Sequence, residues 1–374
     1  MAMRIGVPTE IKSNERRVGL TPEAVRELVQ RGHAVTVQSG AGLGIGAGDE
    51  VYAARGADIA PSAAEVFATC ELIVKVKEPQ ESERRQLRPS QTLFAYLHLA
   101  PDPQQTAELC ASGVTAIAYE TVTGLAGTLP LLAPMSQIAG RLSVQFAAAA
   151  LEAPNGGPGV LLSGVPGVPP ASVVILGGGV VGENATGIAV GMGARVAVLD
   201  RSFAVLDRLD RRFGTTITTV FSSHSTIDDA VAEADVVIGA VLVKGDRAPM
   251  LIDRKHLATM RRGSVLVDVS IDQGGCFETS RPTTYDDPIY EVDGIRHFCV
   301  ANMPGAVPRT STYALSHATL PYVVAIAEQG ARAAMLDDPN LLSGLNVHDG
   351  RVTEPAVAHS QGLGFVPPAE ALGA

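Results

Sequence analysis

Aromatic residues are scarce in this chain, which has no tryptophan, seven tyrosines and nine phenylalanines among its 374 residues. Glycine occurs 39 times, and alanine is also plentiful. A β-sandwich core filled with large rings is therefore disfavoured. The composition instead favours helices packed closely against a parallel sheet, which is the arrangement of an α/β protein.

Positive charge is also limited. The 29 lysines and arginines are outnumbered by 39 acidic residues, so the formal net charge is −10. The basic residues are scattered and do not cluster beside stacking aromatics, which argues against a nucleic-acid partner. With 46% hydrophobic and 18% charged residues, the chain has the composition of a soluble enzyme, and it is long enough for two domains.

Cysteines are few, and long hydrophobic runs are missing. The four cysteines form no CxxC pair and lie near no histidine at metal-ligand spacing, so we predict reduced thiols and no metal site. The first residues carry charges and a proline where a signal peptide has an apolar core. No run of about eighteen apolar residues predicts a membrane span. We therefore expect a cytoplasmic protein without a membrane partner.

Strand and helix patterns alternate in the first part of the chain. Thr21, Pro22 and Glu23 predict a helix N-terminus, and Gly32 predicts the end of that helix. We interpret the glycine-rich segment 40–48 as a flexible surface loop. The repeated alternation predicts a parallel sheet covered on both faces. The predicted strands are Arg4–Pro8, His33–Gln38, Leu72–Lys77, Leu93–His98 and Thr115–Ala118.

A long alanine-rich helix over 136–152, with Ser136 as its N-cap, is predicted to connect two domains. A second alternating block starts at Ser172, and its six strands match the two halves of a doubly wound sheet. The chain becomes helical again over 312–336 and returns to the first domain, while the C-terminal tail is predicted to be mostly irregular. The fold class is thus α/β, with two Rossmann-like, doubly wound parallel-sheet domains and a cleft between them. The six strands are SVVILG, RVAVLD, TITTVF, ADVVIGA, SVLVDVS and HFCVAN.

A glycine motif follows the first strand of this block. Gly177, Gly179 and Gly182 form GxGxxG between SVVILG and a predicted helix. In a dinucleotide-binding turn these glycines allow a tight bend, approach of a pyrophosphate and close helix packing, respectively. Asp200 ends the next strand, where a carboxylate binds a ribose 2′-hydroxyl and repels a 2′-phosphate. We predict NAD as the cofactor; a purely structural glycine turn is the alternative.

Ligands of doubly wound sheets bind at the carboxyl ends of the strands. We predict that residues 134–305, which contain the glycine motif and the six strands, form an NAD-binding Rossmann domain. The substrate and catalytic domain would be discontinuous and comprise residues 1–133 and 306–374. The strand ends predict cofactor contacts at Ser222, Val241, Leu242, Val269, Ser270, Ile271, Asp272, Val300, Ala301, Asn302 and Met303.

Several polar groups in the first domain have the chemistry of a substrate site. Lys75 and Lys77 would share one face of a strand and lower one another's pKa; lysines protecting an exposed edge strand are the alternative. His98 ends an apolar strand and is either a general acid/base or a hydrogen-bonded structural histidine. Arg16 or Arg17 could bind a carboxylate, although a surface arginine is the default interpretation.

Two acids occur in VLVDVSIDQGGCFE. Asp272 lies past the strand end and is better placed to reach a nicotinamide, whereas Asp268 has the position of a structural residue. Together with the lysine, histidine and arginine candidates, Asp272 indicates a site for a small anionic substrate beside a hydride carrier.

The chain resembles the alanine dehydrogenase family, which shares its fold with the NAD-binding subunit of proton-translocating transhydrogenase. The resemblance covers about residues 3–325, and IDQGGCFE followed by SRPTTY is specific to the alanine dehydrogenase branch. The matching segments are RIGVPTEIKSNERRVGLTP, LIVKVKEP, LFAYLHLA, AIAYETV, LPLLAPMSQIAGRLS, ADVVIGAVLV, VDVSIDQGGCFETSRPTTYDDP and CVANMPGAVPRTSTYALS.

The resemblance implies reversible oxidation of L-alanine to pyruvate and ammonia by NAD, in a homo-hexamer. It implies that Arg17 binds the substrate carboxylate and that Lys77 orients that carboxylate and the carbonyl oxygen. His98 would be the acid/base, and Asp272 would position water or ammonia. Contacts with NAD are implied for Ser136, Asp200, Ser222, Arg281 and the segment 300–303.

Two residues depart from the expected cofactor site. Glu183 would lie near the phosphates, and Arg201 follows Asp200 directly. The alternatives in function are a transhydrogenase-like NAD(H)-binding subunit, a related amino-acid or keto-acid dehydrogenase, and a non-catalytic NAD-binding regulator.

Overall fold

The computed structural model of the protein describes residues 2–241 and 248–373. Its contacts divide the chain into two compact units. The first unit is Met1–Met135 with Val307–Ala374, and the second is Ser136–Ala306. The first unit is therefore built from both ends of the chain. Leu242, a predicted cofactor contact, lies outside the described residues.

The described part of the first unit contains an eight-stranded sheet in the order β15-β14-β6-β5-β4-β1-β2-β3. Strands β1 to β6 are parallel and have the doubly wound order 3-2-1-4-5-6. The two C-terminal strands extend the sheet in antiparallel fashion. The strands are β1 Arg4–Val7, β2 Ala34–Gln38, β3 Asp58–Ala60, β4 Leu72–Val74, β5 Thr92–Ala95, β6 Thr115–Ala118, β14 Leu345–His348 and β15 Arg351–Val352.

The first helix confirms its predicted cap. The Thr21 hydroxyl accepts a hydrogen bond from the backbone N–H of Ala24, and Pro22 occupies the first helical position, where it loses no intrahelical hydrogen bond. The helices of this unit are α1 Pro22–Gln30, α2 Asp49–Ala53, α3 Ala63–Thr69, α4 Glu81–Arg84, α5 Pro103–Ser112, α11 Pro308–Gln329, α12 Ala331–Asp337, α13 Pro339–Leu342, α14 Pro355–Gln361 and α15 Pro368–Ala371.

Two predictions for this unit are wrong. The segment 40–48 is packed, because a Cβ on Gly44 would lie 2.0 Å from the carbonyl oxygen of Arg16. The C-terminal tail is also regular, since Leu345 and Val347 are buried in the sheet core. Asp349 and Gly350 both have positive φ and form the two-residue turn that joins β14 to β15, a turn favoured by Asp-Gly.

The described part of the second unit contains a seven-stranded sheet in the order β12-β13-β11-β10-β7-β8-β9. Alternate side chains of its strands enter two separate cores, one on each face: Val173 and Ile175 lie in one, and Val174 and Leu176 in the other. The elements are β7 Ser172–Leu176, β8 Arg195–Asp200, β9 Ile217–Phe221, β10 Val236–Gly239, β11 Val265–Asp268, β12 Ile289–Val292, β13 Ile295–Phe298, α6 Ala133–Leu151, α7 Val180–Gly191, α8 Phe203–Phe213, α9 His224–Ala232 and α10 Arg254–Leu257.

Six of these strands are parallel in the predicted doubly wound order. The sixth lies at Ile295–Phe298, earlier than predicted, and β12 pairs with it in antiparallel fashion through an Asp293-Gly294 turn. Helix α6 begins at Ala133, so Ser136 lies inside its first turns and is not the N-cap. Proline is compatible with this earlier start, because the first turn needs no donor from Pro134. No helix in the described ranges is long and apolar enough to cross a membrane.

Candidate active site

Four neighbouring parallel strands of the first unit, β1, β4, β5 and β6, end at one edge of the sheet. Arg17 follows the first of them, Lys77 the second, His98 the third and Glu120 the fourth. The sheet topology therefore brings groups from distant parts of the sequence to the same edge. Three of these residues were predicted from the sequence, and Glu120 was missed.

Arg17 is a buried arginine with a fixed orientation. Its side chain is 2% exposed and forms an ion pair with Glu15, whose Oε1 accepts a hydrogen bond from Nε at 2.6 Å. Burial alone would lower the pKa of Arg17, but the bond to Glu15 raises it above its ordinary value. Arg16 is exposed. The default interpretation of a surface arginine is thus wrong for Arg17, which keeps its charge inside the unit.

The prediction that Lys75 and Lys77 lie side by side on one strand is wrong. Strand β4 ends at Val74, and Lys75 is 0% exposed, with Nζ 3.2 Å from Glu10 and 2.7 Å from Glu83. Burial alone would lower its pKa, but the two carboxylates raise it. The predicted lowering is therefore wrong for Lys75. The edge-strand alternative is also wrong, because β4 lies between β1 and β5.

Lys77 lies two residues beyond this buried cluster and is 8% exposed. The carboxylate of Glu10 accepts hydrogen bonds from the backbone N–H groups of Val76, at 2.6 Å, and Lys77, at 3.4 Å. The same carboxylate raises the pKa of Arg17, after the larger effects of burial, Glu15 and Tyr96. Glu10 thus connects the segment that carries Lys77 to Arg17. Its position after β1 was the sequence signal that could have identified it.

His98 has an unusual backbone conformation and an accessible ring. Its φ is +49°, and its backbone N–H donates to Oε1 of Glu120 at 2.6 Å. The imidazole Nδ1 lies 3.9 Å from the same oxygen, and the side chain is 44% exposed. The ring stacks on Tyr96 with centroids 5.9 Å apart. Strained residues of this kind concentrate at functional sites, and the exposed ring favours the acid/base interpretation over a structural one.

In the second unit, the glycine turn has the geometry of a phosphate-binding turn. Gly177 has φ +99°, and a Cβ there would lie 2.7 Å from the carbonyl oxygen of Ala240. A Cβ on Gly182 would lie 1.8 Å from the carbonyl oxygen of Gly177, whereas Gly179 has no atom within 4 Å. The first and third glycines are thus required by the protein's own backbone. The second faces open space at the N-terminus of α7, where an anion is stabilised.

We expect Gly182→Ala to weaken NADH binding, because its methyl group must displace the carbonyl of Gly177 or shift α7. An ordinary Gly→Ala change inside a helix instead stabilises by about 0.5–1 kcal/mol. Gly187, also in α7, has its nearest neighbours 3.9 Å away, so Gly187→Ala is the matched control. Because the chain has no tryptophan, the change in the fluorescence of NADH itself on binding measures the dissociation constants; equal affinity in the two variants would contradict the prediction.

Asp200 ends β8 beside this turn. Its Oδ2 accepts the backbone N–H of Gly178 at 2.7 Å, and its Oδ1 accepts that of Ser202 at 2.8 Å. The carboxylate is therefore fixed next to the glycines, while the neighbouring Arg201 is exposed. This arrangement fits an adenosine ribose, and the residues present fit NAD.

Glu183 carries a charge that is balanced within the unit. Its carboxylate forms ion pairs with Arg208, at 3.2 Å, and with Arg212, both on α8. Glu183 therefore places no unpaired negative charge at the glycine turn.

Other predicted cofactor residues follow the remaining strands of this sheet. The Ser222 N–H donates to the carbonyl of Asp200, and the Ser270 hydroxyl donates to the carbonyl of Val241 at 2.6 Å. Val269 follows β11, and Ala301 follows β13. The side chains of Ile271, Val300 and Met303 are buried.

Asp272 is exposed in a short turn, Ile271–Gln273. Its Oδ2 lies 3.4 Å from the N–H of Asn302, a residue with φ +58°. The guanidinium of Arg281 lies 4.0 Å above the ring of Tyr290. Ser136 is half-buried in α6.

One doubly wound sheet carries a dinucleotide-binding turn, and the other has Arg17, Lys77 and His98 at the carboxyl ends of its strands. These features place the protein in the class of NAD-dependent oxidoreductases. The family description "Alanine dehydrogenase/PNT, N-terminal domain" matches residues 6–139, and the corresponding C-terminal domain matches residues 143–355. The chain belongs to the alanine dehydrogenase/PNT family.

Known proteins resemble the chain over its whole length. An alanine dehydrogenase of Halomonas elongata is 56% identical over 99% of this chain and 100% of its own length. A solved L-alanine dehydrogenase structure is 52% identical, with a TM-score of 0.93 over 96% of this chain and 99% of that one. A transhydrogenase structure from Sinorhizobium meliloti, 24% identical with a TM-score of 0.80 over 94% and 99%, shares the fold.

Proposed function

We propose that the protein is an NAD-dependent L-alanine dehydrogenase that converts L-alanine reversibly to pyruvate and ammonia. The observation that carries the proposal is the set of Arg17, Lys77 and His98 at one edge of the first sheet. A guanidinium, an ammonium and an imidazole are the groups that a small amino or keto acid requires. The family and the dinucleotide turn of the second unit supply the remaining support.

The two units have separate roles in this proposal. The first unit, corresponding to the predicted domain 1–133 and 306–374, binds the substrate. The second, corresponding to 134–305, binds NAD through the glycine turn, Asp200 and the strand ends. When bound, NAD accepts the hydride from the alanine Cα.

The chain's own residues bind the substrate and transfer its protons. Arg17 binds the substrate carboxylate, with its guanidinium plane fixed by Glu15, and Lys77 orients the carboxylate and the carbonyl oxygen. The amine of alanine enters the step deprotonated, so hydride loss leaves a protonated imine. Water adds to its carbon to form a carbinolamine that is protonated on nitrogen. His98 takes the hydroxyl proton as the C–N bond breaks, which yields pyruvate and ammonia. Asp272 positions the water or, in the reverse direction, the ammonia.

The proposal includes a homo-hexameric assembly, a cytoplasmic location and a role in L-alanine catabolism, as the family resemblance implies. Light scattering coupled to size-exclusion chromatography measures the assembly, and a mass other than six times 38.8 kDa would contradict that part.

The test of the activity is NADH formation from NAD with a panel of L-amino acids, and NADH oxidation with pyruvate plus ammonia. We expect L-alanine to be used in preference to other amino acids, and NAD in preference to NADP. Hydride exchange between NADH and an NAD analogue without any amino acid, combined with no reaction on alanine, would instead support the transhydrogenase-like alternative.

A further inference from the structure

A buried carboxylate of the second unit has no role in the mechanism above. Asp268 is the last residue of β11, which lies between β10 and β13, and it is 0% exposed. An isolated carboxylate in such a place is strongly unfavourable unless it is hydrogen-bonded. Its contacts therefore show what it stabilises.

Asp268 accepts hydrogen bonds from both sides of one loop. Its Oδ1 accepts the backbone N–H of Ser270 at 3.0 Å, and its Oδ2 accepts that of Cys276 at 2.9 Å. Further along the chain, the hydroxyl of Ser280 donates to Oδ2 at 2.6 Å, and the thiol of Cys276 lies 3.5 Å from Oδ1. All these groups are donors, so they match an ionised carboxylate and no neutral amide could accept them all.

The loop held in this way carries Asp272. Between Ser270 and Cys276 the chain forms the turn Ile271–Gln273 and closes through two glycines of positive φ, Gly274 and Gly275. The backbone N–H of Gly275 donates a hydrogen bond to the carbonyl of Ser270 at 3.1 Å. A Cβ on Gly275 would lie 2.8 Å from Oδ2 of Asp268, so the carboxylate is packed directly against the closing backbone.

The loop also has backbone contacts with neighbouring segments: the N–H of Ala248 donates to the carbonyl of Gln273 at 3.1 Å, and the N–H of Leu251 donates to that of Cys276 at 2.8 Å. Asp272 itself is exposed, and its Oδ2 accepts the backbone N–H of Asn302 at 3.4 Å, which is a long hydrogen bond. Burial raises the pKa of Asp268, while the bonds from Ser280 and Cys276 lower it. Asp268 therefore accepts more hydrogen bonds, and shorter ones, than Asp272 does.

We propose that Asp268 is a positioning residue for the dehydrogenase reaction. It holds both ends of the loop 270–276, which we name the Asp272 loop, in the conformation that fixes the position of Asp272. The inference rests on the proposed function, because that proposal assigns a role to Asp272.

The test is a double-mutant cycle with Asp268→Asn and Asp272→Ala in the full-length protein. We expect Asp268→Asn to lower kcat by about 10²-fold, the loss that a displacement of about 1 Å causes, with the Kd for NADH changed less than about threefold. In the Asp272→Ala background, Asp268→Asn should lower kcat no further, because its effect passes through Asp272.

Asp235→Asn is the matched control. Asp235 precedes β10 at the opposite edge of the same sheet, where its carboxylate accepts the N–H of Ser172 at 2.8 Å and pairs with Arg261. We expect it to lower the melting temperature but to leave kcat unchanged. If Asp268→Asn does not fold, Ser280→Ala removes one donor and should lower kcat by about 2- to 10-fold.

The outcomes separate the two proposals. Wild-type kcat in Asp268→Asn or Ser280→Ala, with an inactive Asp272→Ala, overturns the positioning role and leaves the proposed function intact. Wild-type kcat in Asp272→Ala overturns the role of Asp272 and the positioning role with it. A further loss of kcat in the double mutant also overturns the inference, because Asp268 would then act independently of Asp272.

Discussion

Replacement of His98 by alanine or asparagine is expected to reduce kcat by about 10²- to 10⁴-fold, the usual contribution of a general acid or base. Asparagine tolerates the left-handed backbone conformation of this position, so its loss of activity would report the missing imidazole rather than backbone strain. NADH affinity should be unchanged, because the glycine turn and Asp200 belong to the other unit.

His359 is the control for this substitution. It is an exposed histidine at the end of α14 in the same unit, and His359→Asn should retain full activity. Stopped-flow absorbance measures the turnover, and fluorescence titration measures the Kd for NADH. Near-normal turnover in both His98 variants would remove this residue from the mechanism.

Most of the parallel architecture could be predicted from the sequence. Apolar runs separated by helical patterns identified the six parallel strands of the second sheet, although the last was placed too late. The two missed hairpins share one cause. Asp293-Gly294 and Asp349-Gly350 are Asp-Gly turns between short strands. This local signal is independent of the alternation of strands and helices from which the parallel strands were predicted.

The candidate site was predicted less evenly. His98 and Asp272 were candidates because they follow strands, where ligands of such sheets bind. Lys77 was instead expected on a strand beside Lys75, and the choice of Arg17 and Lys77 as substrate ligands came from the family resemblance. Glu120 obeys the same rule and was overlooked. Whether a charged side chain is paired cannot be inferred from sequence spacing, because its partners come from other strands: Lys75 next to Lys77 suggested two interacting ammonium groups, whereas the fold places Glu10 and Glu83 beside Lys75.

Lys75→Met and Lys77→Met should have opposite consequences, although the two lysines are separated by one residue. Lys75→Met leaves the buried carboxylates of Glu10 and Glu83 without their cation, and we expect it to lower the free energy of unfolding by about 3–5 kcal/mol. Lys77→Met removes no member of this cluster. We expect it to lower kcat/KM for alanine by about 10- to 100-fold, the value of a hydrogen bond between charged groups, with a much smaller loss of stability.

The pH dependence identifies the cause of the Lys75→Met defect. Burial already raises the pKa of Glu10 above its ordinary value, although Lys75 opposes this rise. Without the ammonium the pKa of Glu10 rises further, so the folded state binds this proton more tightly than the unfolded chain does. The cost of the unpaired charge is then relieved as the pH falls, and the stability deficit relative to wild type should be smaller near pH 5 than near about pH 8. Urea unfolding at the two pH values measures this deficit. A deficit independent of pH would indicate lost packing rather than unpaired charge, and an equal loss of stability in both lysine variants would contradict the separation between a structural Lys75 and a substrate-binding Lys77.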